Sequence, residues 1–583
     1  MKNKKIVILC IPIIVVVLIL VGFTMVFSKE NIQKNVDGVK FDKKWNRIMA
    51  REINKNKINL KVDGRTIECN GETPYMTNKM ELMIPISVIS DAFNCAKNVY
   101  NGKEILIEKG SNKATLYFGK QNIKFNENNY KISNGAKKIN DSIYVSAKVF
   151  SKYLNYSYKW NSKSNTASFT NTATGNSYLP KRYSYVENNK IVKIKNQGKY
   201  GTCWAFATLT ALETSLMPEQ KFDFSEDNMI YNNALSDDIQ DGGEYIRAMA
   251  YLMSWKGPVL EKDDPYGDGK TNKNLKSVKH VQEAEIVPYK DYEQIKEMVF
   301  KYGGVESSMY MSMSDADGSS MYYNKKYNAY CYKGDNKPNH DVVIVGWDDD
   351  FSKDYFNDKT IKGNGAFICV NSWGESFGDK GIFYISYYDD RIGSNNVCYT
   401  KVEDTNNYDN IYQSDLCGFT GSMGFEGSSS VYFANVYQGK NNEKLDAVGF
   451  YATSTDLEYE VFICENFESQ ESLNNRNHMA ASGTIKNQGY YTINLDKEYN
   501  ISKEKKFAVI VKVSKDKSEK FYKLIPVEME SKEMAVKIDL SDGEGYFSSQ
   551  GYSWQSAEKQ QCNICLKAYT CLLYTSPSPR DCS

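Results

Sequence analysis

Hydrophobic and polar positions alternate over short distances along most of the chain, and this pattern predicts strands. Between residues 56 and 170 the alternating segments are separated by Gly and Asn turns. Between 405 and 570, aromatic and β-branched runs such as 430–436, 447–452, 459–463 and 507–513 recur between similar turns. Short strands at this spacing predict an all-β sandwich for the C-terminal third.

A different pattern begins in the middle of the chain. A Gly-containing loop leads into an apolar run from Cys203 that Pro218 ends, which predicts a largely buried helix starting at Cys203. Apolar, β-branched runs at 341–347, 366–370 and 381–387 predict three buried strands. Helices and strands together predict an α+β domain, with boundaries at 179–404.

The N-terminal strands contain a duplication. The segment 84–90 leads to Asn94, and the similar segment 145–151 leads to Asn155, at an offset of about 61 residues. Each is followed by a β-like stretch, at 103–108 and 166–170. We therefore predict that residues 56–170 form an α+β domain in which one strand–helix–strand unit is used twice, typical of an interaction module.

The first 30 residues indicate export. Three lysines precede an uncharged run, 6–27, whose 22 residues span about 33 Å as a helix, enough to cross a bilayer core. The run is long for a cleaved signal and ends without small residues, so we expect a signal-anchor at 1–30 and a linker at 31–55. The basic flank predicts a single-pass membrane protein with its working domains outside the cell; secretion after cleavage is the alternative.

Composition narrows the function. The 583 residues carry 73 basic and 72 acidic side chains, so the net charge of +1 argues against a nucleic-acid partner. The three histidines, His280, His340 and His478, are too few for a site of several imidazoles, and we expect no metal and no cofactor. His280 and His478 lie in polar stretches that resemble surface segments. The thirteen cysteines are scattered, so we expect few disulfides or none.

Cys203, His340 and Asn371 form the candidate catalytic group. A helix N-terminus and a nearby imidazolium lower a thiol pKa, so we expect Cys203 to rest as a thiolate. His340 stands 137 residues later at the start of one predicted strand, and Asn371 directly follows the next. The imidazole can take and return a proton while the amide oxygen fixes its tautomer. Gln197 and the backbone N–H of Cys203 can stabilise an oxyanion.

The residues Gln197, Cys203-Trp204, His340 and Asn371-Ser-Trp-Gly374 make segment 179–404 resemble a papain-family cysteine peptidase. The resemblance implies a helical lobe, a β-barrel-like lobe and endopeptidase activity. It also implies that Gly242 and Gly243 bind the substrate backbone and that Trp373, in the substrate site, shields the Asn–His hydrogen bond from water.

The chain departs from that family in two places. Tyr200 and Gln240 occupy the positions of a disulfide pair that the family usually has. Asp341 follows His340, where a small residue is usual. Strand alternation turns it to the opposite face, so we expect a modest effect on the site.

The flanking regions also resemble known domains. Residues 56–170 resemble the N-terminal domain of copper amine oxidases, although the absence of histidine there removes the favoured copper ligand. Residues 405–570 resemble the lectin-like domain of exported bacterial papain-like enzymes, which suggests a glycan or cell-wall ligand. The final segment, 571–583, differs in sequence character from the rest of the chain and resembles translated adaptor or read-through sequence, so it is predicted to be an artefactual tail.

These observations predict a membrane-anchored, extracellular cysteine endopeptidase that acts on proteins or peptides. A papain-like hydrolase of peptidoglycan cross-peptides would use the same Cys–His pair and is the main alternative. A transglutaminase would favour Asp in place of Asn371. A surface adhesin that works through its flanking domains alone is the third alternative, although all four catalytic positions are filled.

Overall fold

The structure of this protein is a computed structural model. It describes residues 58–573 except 68, 70–71, 141, 174–177, 191–192, 236–241, 516–522 and 532–535. The predicted signal-anchor, the whole predicted linker and residues 574–583 of the predicted tail lie outside the described residues. Within the described part of the chain, no helix is long and apolar enough to span a bilayer.

The N-terminal region combines two short helices with three small sheets. The helices are α1 (Ile89–Phe93) and α2 (Lys148–Tyr153). The strands are β1 Asn59–Val62, β2 Arg65–Ile67, β3 Tyr75–Met76, β4 Leu82–Pro85, β5 Ala96–Tyr100, β6 Glu104–Lys109, β7 Asn112–Tyr117, β8 Asn122–Phe125, β9 Asn128–Lys131, β10 Lys137–Ile139, β11 Ser142–Ser146, β12 Tyr156–Asn161 and β13 Thr166–Asn171. The sheet orders are β12-β13-β1-β2, β10-β11-β4-β3 and β5-β6-β7-β8-β9.

The predicted duplication is confirmed at the level of secondary structure. The first unit runs β4–α1–β5–β6 and the second runs β11–α2–β12–β13. The strands predicted at 103–108 and 166–170 are β6 and β13, and each is preceded by a strand that the sequence did not predict. Asn94 and Asn155 follow the two helices with φ of 48° and 59°, so each unit turns through the left-handed region at the equivalent residue. Strands β4 and β11 pair antiparallel, with Ile84 opposite Val145, so the repeats join edge to edge.

The middle region has the two kinds of element that the sequence pattern predicts. Its helices are α3 (Cys203–Leu216), α4 (Glu226–Tyr231), α5 (Tyr245–Met253) and α6 (Tyr292–Lys301). Its strands are β14 Arg182–Ser184, β15 His280–Val287, β16 Val305–Met309, β17 Tyr323–Asn324, β18 Ala329–Tyr330, β19 His340–Asp348, β20 Ala366–Val370, β21 Ile382–Ser386 and β22 Asn396–Glu403. Helix α3 begins at Cys203 as predicted and packs against β19 and β22. The three predicted strands are confirmed as β19, β20 and β21.

The C-terminal region consists almost entirely of strands. They are β23 Asn410–Tyr412, β24 Gly421–Met423, β25 Ser430–Gln438, β26 Glu443–Ala452, β27 Leu457–Cys464, β28 Ala481–Ile485, β29 Gln488–Ile501, β30 Lys506–Ser514, β31 Ile525–Met529, β32 Gly545–Ser548, β33 Gln555–Ser556, β34 Cys562–Ile564 and β35 Leu566–Leu572. One buried cluster joins residues of β25 and β30 to residues of β26 and β29, as expected when two sheets pack face to face. Short 3₁₀ turns complete the chain at Ile86–Val88, Lys353–Tyr355, Gln470–Asn474 and Glu558–Gln560.

The last strand corrects one predicted boundary. Cys571 and Leu572, which we assigned to an artefactual tail, pair with Lys444 and Glu443 of β26. The folded chain therefore extends through β35, because these two residues complete a ladder that begins at Leu566.

The middle and C-terminal regions share a sheet. Strand β15 pairs on one side with β22 and on the other with β29, with Glu283 opposite Tyr491. The resulting sheet has 13 strands and passes from one region into the other without a break. The two regions are therefore joined by backbone hydrogen bonds as well as by their linker.

His280 was wrongly predicted to lie in a surface segment. It is the first residue of β15 and is buried, with its ring stacked on Trp255 at a centroid distance of 3.7 Å. Its Nδ1 lies 2.7 Å from Oδ1 of Asn407. Trp255 also stacks on Tyr569 of β35, so the imidazole belongs to the junction between the two regions.

The N-terminal region contacts the middle region near the C-terminal ends of α6 and α3. The Ser90 hydroxyl donates to the carbonyl oxygen of Lys301 at 3.4 Å, and the Lys301 amine donates to Asn94 at 2.8 Å. Lys97 lies close enough to Glu219 for its pKa to be affected, and Glu219 lies just beyond the C-terminal end of α3. Because α3 has 14 residues, this end lies about 21 Å along the helix from Cys203.

Candidate active site

Cys203 occupies the first turn of α3, where backbone N–H groups have no intrahelical partner. Its thiol is close enough to the backbone N–H groups of Trp204 and Asp341 for both to lower its pKa. Asp341 directly follows His340, so the thiol lies beside the start of β19. The packing of α3 on β19 thus brings Cys203 beside Asp341, the residue that follows His340.

His340 and Asn371 are joined by a buried hydrogen bond. Nε2 of His340 lies 2.8 Å from Oδ1 of Asn371, and the two residues are 7% and 1% exposed. Asn371 directly follows β20, and its backbone N–H donates to the carbonyl oxygen of Gly381. Because Oδ1 can only accept, Nε2 carries the proton and Nδ1 remains to exchange a proton with a thiol.

The electrostatics of the site favour a neutral thiol and a neutral imidazole. The pKa of the Cys203 thiol is raised to about 12, chiefly by burial and then by the carboxyl groups of Asp341 and Glu306, which together outweigh the two backbone N–H groups. Burial lowers the pKa of His340 to about 4, although the hydrogen bond that His340 donates to Asn371 acts in the opposite direction. This differs from our expectation of a resting thiolate, because desolvation outweighs the helix N-terminus.

Asp341 has more influence than strand alternation predicts. Its carboxylate accepts a hydrogen bond from the Ser308 hydroxyl at 2.6 Å, across the β16–β19 pair. Among the charged groups near the thiol, Asp341 raises the pKa of Cys203 the most. Burial raises the pKa of Asp341 itself to about 6, so the group is charged at neutral pH.

Gln197 is held against the same site from the other side. Its backbone N–H donates to the carbonyl oxygen of Ser372 at 2.8 Å, and its Oε1 accepts from the Ser372 hydroxyl at 2.5 Å. Its Nε2 donates to the carbonyl oxygen of Tyr200 at 2.8 Å. A side-chain amide nitrogen carries two hydrogens, so a second donor remains for a substrate oxygen.

The glycine pair lies beside the same helix end. A Cβ on Gly243 would come within 2.5 Å of the Trp204 indole, so only glycine allows this close approach. Gly242 has φ of +67° and lies near the carbonyl oxygen of Gly201. The neighbouring Gln240 and Asp241 lie outside the described residues. The two glycines leave a strip of backbone next to Cys203 that an extended peptide could pair with.

Trp373 covers the imidazole. It is 6% exposed, and its ring centroid lies 5.1 Å from that of His340 and 5.1 Å from that of Phe377. This placement fits the expected shielding of the His340–Asn371 hydrogen bond, whereas a side chain so buried offers little surface to a substrate.

The site also contains residues that sequence analysis missed. Lys195, two residues before Gln197, is buried and donates to Glu213 at 2.8 Å and to Glu226 at 2.7 Å. Glu306 accepts from Thr208 of α3 at 2.8 Å. Neither has a periodic or motif signal, because each depends on partners distant in sequence. His478 is exposed and pairs with Asp496 outside this site.

Comparisons with known proteins agree with this geometry. The family model described as papain family cysteine protease matches residues 179–404. The chain therefore contains a papain-family cysteine protease domain. The model for the copper amine oxidase N-terminal domain matches residues 61–169, and the model for a lectin-like domain matches 411–570.

Individual relatives match this protease domain and, in one case, its neighbour. Cysteine protease Amb a 11.0101 of Ambrosia artemisiifolia is 28% identical over 214 residues, which are 36% of this chain and 50% of the relative. The chain thus spans half the length of that curated relative. The structure of the clostridial cysteine protease Cwp84 after propeptide cleavage is 28% identical with a TM-score of 0.60, and covers 67% of this chain and 99% of its own. A structure of the protease and lectin-like domains of Cwp84, a surface layer associated protein of Clostridium difficile, is 27% identical with a TM-score of 0.58, and covers 67% of this chain and 89% of its own.

Proposed function

We propose that this protein is an extracellular cysteine endopeptidase that hydrolyses peptide bonds through Cys203, His340 and Asn371. The observation that carries the proposal is the 2.8 Å hydrogen bond between buried His340 and Asn371, together with the Cys203 thiol beside the backbone N–H of Asp341. Thiol acyl transfer requires a thiol at a helix end paired with an oriented imidazole, and we propose that Nδ1 of His340 serves Sγ of Cys203 in this way.

The neutral resting pair defines the first chemical step. As Sγ of Cys203 attacks the substrate carbonyl carbon, Nδ1 of His340 accepts the thiol proton. The carbonyl oxygen becomes an oxyanion that receives N–H groups from Gln197 and from the backbone of Cys203. The imidazolium then donates its proton to the leaving amine, which leaves a thioester on Cys203. Asn371 holds the ring in place while it is charged.

A second, equivalent step releases the product. His340 removes a proton from a water molecule as the water oxygen attacks the thioester carbonyl. The same donors stabilise the second oxyanion. When this intermediate collapses, the carboxylic acid leaves and the imidazolium returns its proton to Sγ, which restores the neutral pair. Trp373 limits access of water to the Asn371–His340 hydrogen bond during both steps.

Active-site labelling tests the proposal. An epoxysuccinyl thiol-protease probe should label the full chain, and Cys203→Ala should remove the label. Cys464→Ala is the matched control, because Cys464 is also partly exposed and lies in the C-terminal region. His340→Ala should lower turnover of a fluorogenic peptide by orders of magnitude while the protein stays folded. Labelling that persists in Cys203→Ala, or cleavage of peptidoglycan fragments without cleavage of peptides, would overturn the assignment.

We also propose that residues 6–27 anchor the protein in the membrane with its catalytic region outside the cell. The uncharged length of that segment and its basic flank support this, and Cwp84 is itself described as surface layer associated. Carbonate washing of membranes should leave the protein in the pellet. Release into the wash, or an N-terminus beginning near residue 28 in the secreted fraction, would indicate cleavage.

A glycan is the proposed ligand of the lectin-like domain. The domain's similarity to lectin-like domains supports this assignment, and one of its sheets is continuous with a sheet of the protease domain. The full chain carrying Cys203→Ala, which cannot digest its partners, is the appropriate probe for a glycan array. An array without any bound glycan would reject the proposal and leave the protease assignment untouched.

A further inference from the structure

The hydroxyl of Tyr266 connects the two ends of the loop that precedes the nucleophile. It donates to the carbonyl oxygen of Gln197 at 2.9 Å and lies 2.8 Å from Oγ1 of Thr202. A phenol has one proton, and that proton goes to Gln197, so Thr202 is the donor in the second hydrogen bond. Two residues that are five positions apart are thereby held by one oxygen atom.

The same two residues frame the candidate oxyanion site. Gln197 carries the side-chain donor, and Thr202 immediately precedes Cys203, whose backbone N–H is the second donor. The loop 196–202 contains no cysteine, and Tyr200 occupies the place where the resemblance led us to expect one. Hydrogen bonds therefore hold the shape of this loop. The Thr202 side chain makes no cap to α3, so its hydroxyl is committed to Tyr266.

Tyr266 is itself fixed from three directions. Its backbone N–H donates to Glu261 at 3.0 Å, and the next residue, Gly267, donates to Asp227 at 2.9 Å. Its ring meets Phe206 of α3 edge to face, with a centroid distance of 4.8 Å. Burial raises its pKa above the usual value, so the phenol stays protonated and remains a donor. The hydroxyl position is thus set by elements outside the loop.

We infer that Tyr266 is a positioning residue that sets the separation of the two oxyanion donors, Gln197 Nε2 and the backbone N–H of Cys203. The inference rests on the proposed peptidase function. Without the hydroxyl, the Gln197 carbonyl and the Thr202 hydroxyl lose a shared partner, and the loop is free to shift relative to α3. Small displacements of catalytic donors are costly, because the oxyanion is stabilised at fixed distances.

The variant Tyr266→Phe tests this, because it keeps the ring on Phe206 and removes one oxygen. Hydrolysis of a peptide amide forms an oxyanion, whereas alkylation of Cys203 by iodoacetamide attacks a saturated carbon and forms none. We expect kcat/KM for hydrolysis to fall by roughly tenfold to a hundredfold while the alkylation rate stays within about twofold. A merely structural defect would lower both rates together.

Two further variants sharpen the test. Tyr185→Phe is the matched control, since the Tyr185 hydroxyl also donates to a backbone carbonyl at 2.6 Å, that of Val299, but outside the loop. It should leave both rates unchanged. In a protein that already carries Gln197→Ala, Tyr266→Phe should lower kcat/KM little further, because the Gln197 side-chain donor that it positions is no longer present. Should Tyr266→Phe not fold, Thr202→Val breaks the other hydrogen bond of the same hydroxyl and should give the same separation of rates.

The outcomes distinguish this inference from the proposed function. Unchanged hydrolysis in Tyr266→Phe, equal losses in hydrolysis and alkylation, or full additivity with Gln197→Ala would each overturn the positioning role. Failure of the unmodified protein to hydrolyse any peptide would instead overturn the peptidase assignment.

Discussion

Replacing Asn371 with Ala would remove the amide that orients the candidate general base. In the structure, Oδ1 of Asn371 accepts from His340 at 2.8 Å and from the backbone N–H of Ser372 at 2.8 Å. The imidazole would keep its burial against Trp373 but lose the acceptor that fixes its tautomer. His340 must become an imidazolium during the reaction, so the lost hydrogen bond is one to a charged group.

The size of the effect follows from that charge. A hydrogen bond to a charged group contributes about 1.5–3 kcal/mol, which corresponds to a loss in kcat/KM of about 10- to 150-fold. The Asn371 hydrogen bond raises the pKa of His340, so its removal lowers a value that burial already holds near 4. The imidazolium becomes harder to form, and the acidic limb of the pH profile should move to lower pH.

The assay is kcat/KM for a fluorogenic peptide amide from about pH 3 to pH 9, so that the acidic limb near pH 4 lies within the range, with thermal unfolding measured in parallel. Asn563→Ala is the matched control, because Asn563 is also a fully buried asparagine but lies in the lectin-like domain. It should lower the melting temperature and leave kcat/KM unchanged. A loss below about threefold in Asn371→Ala, or an equal loss in both variants, would contradict the role given to the His340–Asn371 pair.

Two further predictions concern charge. Asp341→Asn keeps an acceptor for Ser308 but removes the carboxylate that raises the pKa of Cys203, so alkylation by iodoacetamide at pH 7 should be faster and the midpoint of its pH dependence should move to lower pH. An unchanged pH dependence would show that the carboxylate has no such effect. Asp317→Asn, in an exposed turn, is the control. His340 has a folded pKa near 4, below its value of 6.5 when unfolded, so the unfolded chain binds more protons as pH falls and the buried imidazole costs up to about 3 kcal/mol of stability at pH 4. Urea unfolding at pH 7 and pH 4 should show that His340→Gln loses less stability on acidification than the unmodified protein, and equal losses would count against a neutral, buried His340.

Much of the local structure could be predicted from the sequence, because it depends on neighbours in the chain. The apolar run before Pro218 fixed the start of α3 at Cys203, and β-branched runs located β19, β20 and β21. The repeated Ile84 and Val145 segments indicated a duplication that pairs edge to edge. In each case the spacing of apolar residues, or a residue that ends an element, was enough to locate the helix or strand.

The remaining features depend on which distant segments meet. No residue near His280 in the sequence indicates that Trp255 will stack on its ring, and its charged neighbours led to the prediction of an exposed segment. Strand alternation described the direction of Asp341 but not the charge it brings to a thiol on another element. The Tyr266 hydroxyl has a role only because two loops converge on it. Motifs locate reactive groups, whereas tertiary contacts set their protonation and separation.

The unbroken sheet through β15 and β29 has a mechanical consequence. Backbone hydrogen bonds between β15 and β29 join the two domains, so we expect the protease domain and the lectin-like domain to move together rather than to hinge at a flexible linker. When the lectin-like domain is attached to a surface, Cys203 would then stay at a fixed distance from that surface. Bonds would then be chosen by how far they project from the surface as well as by their flanking side chains, which a freely hinged protease could not do.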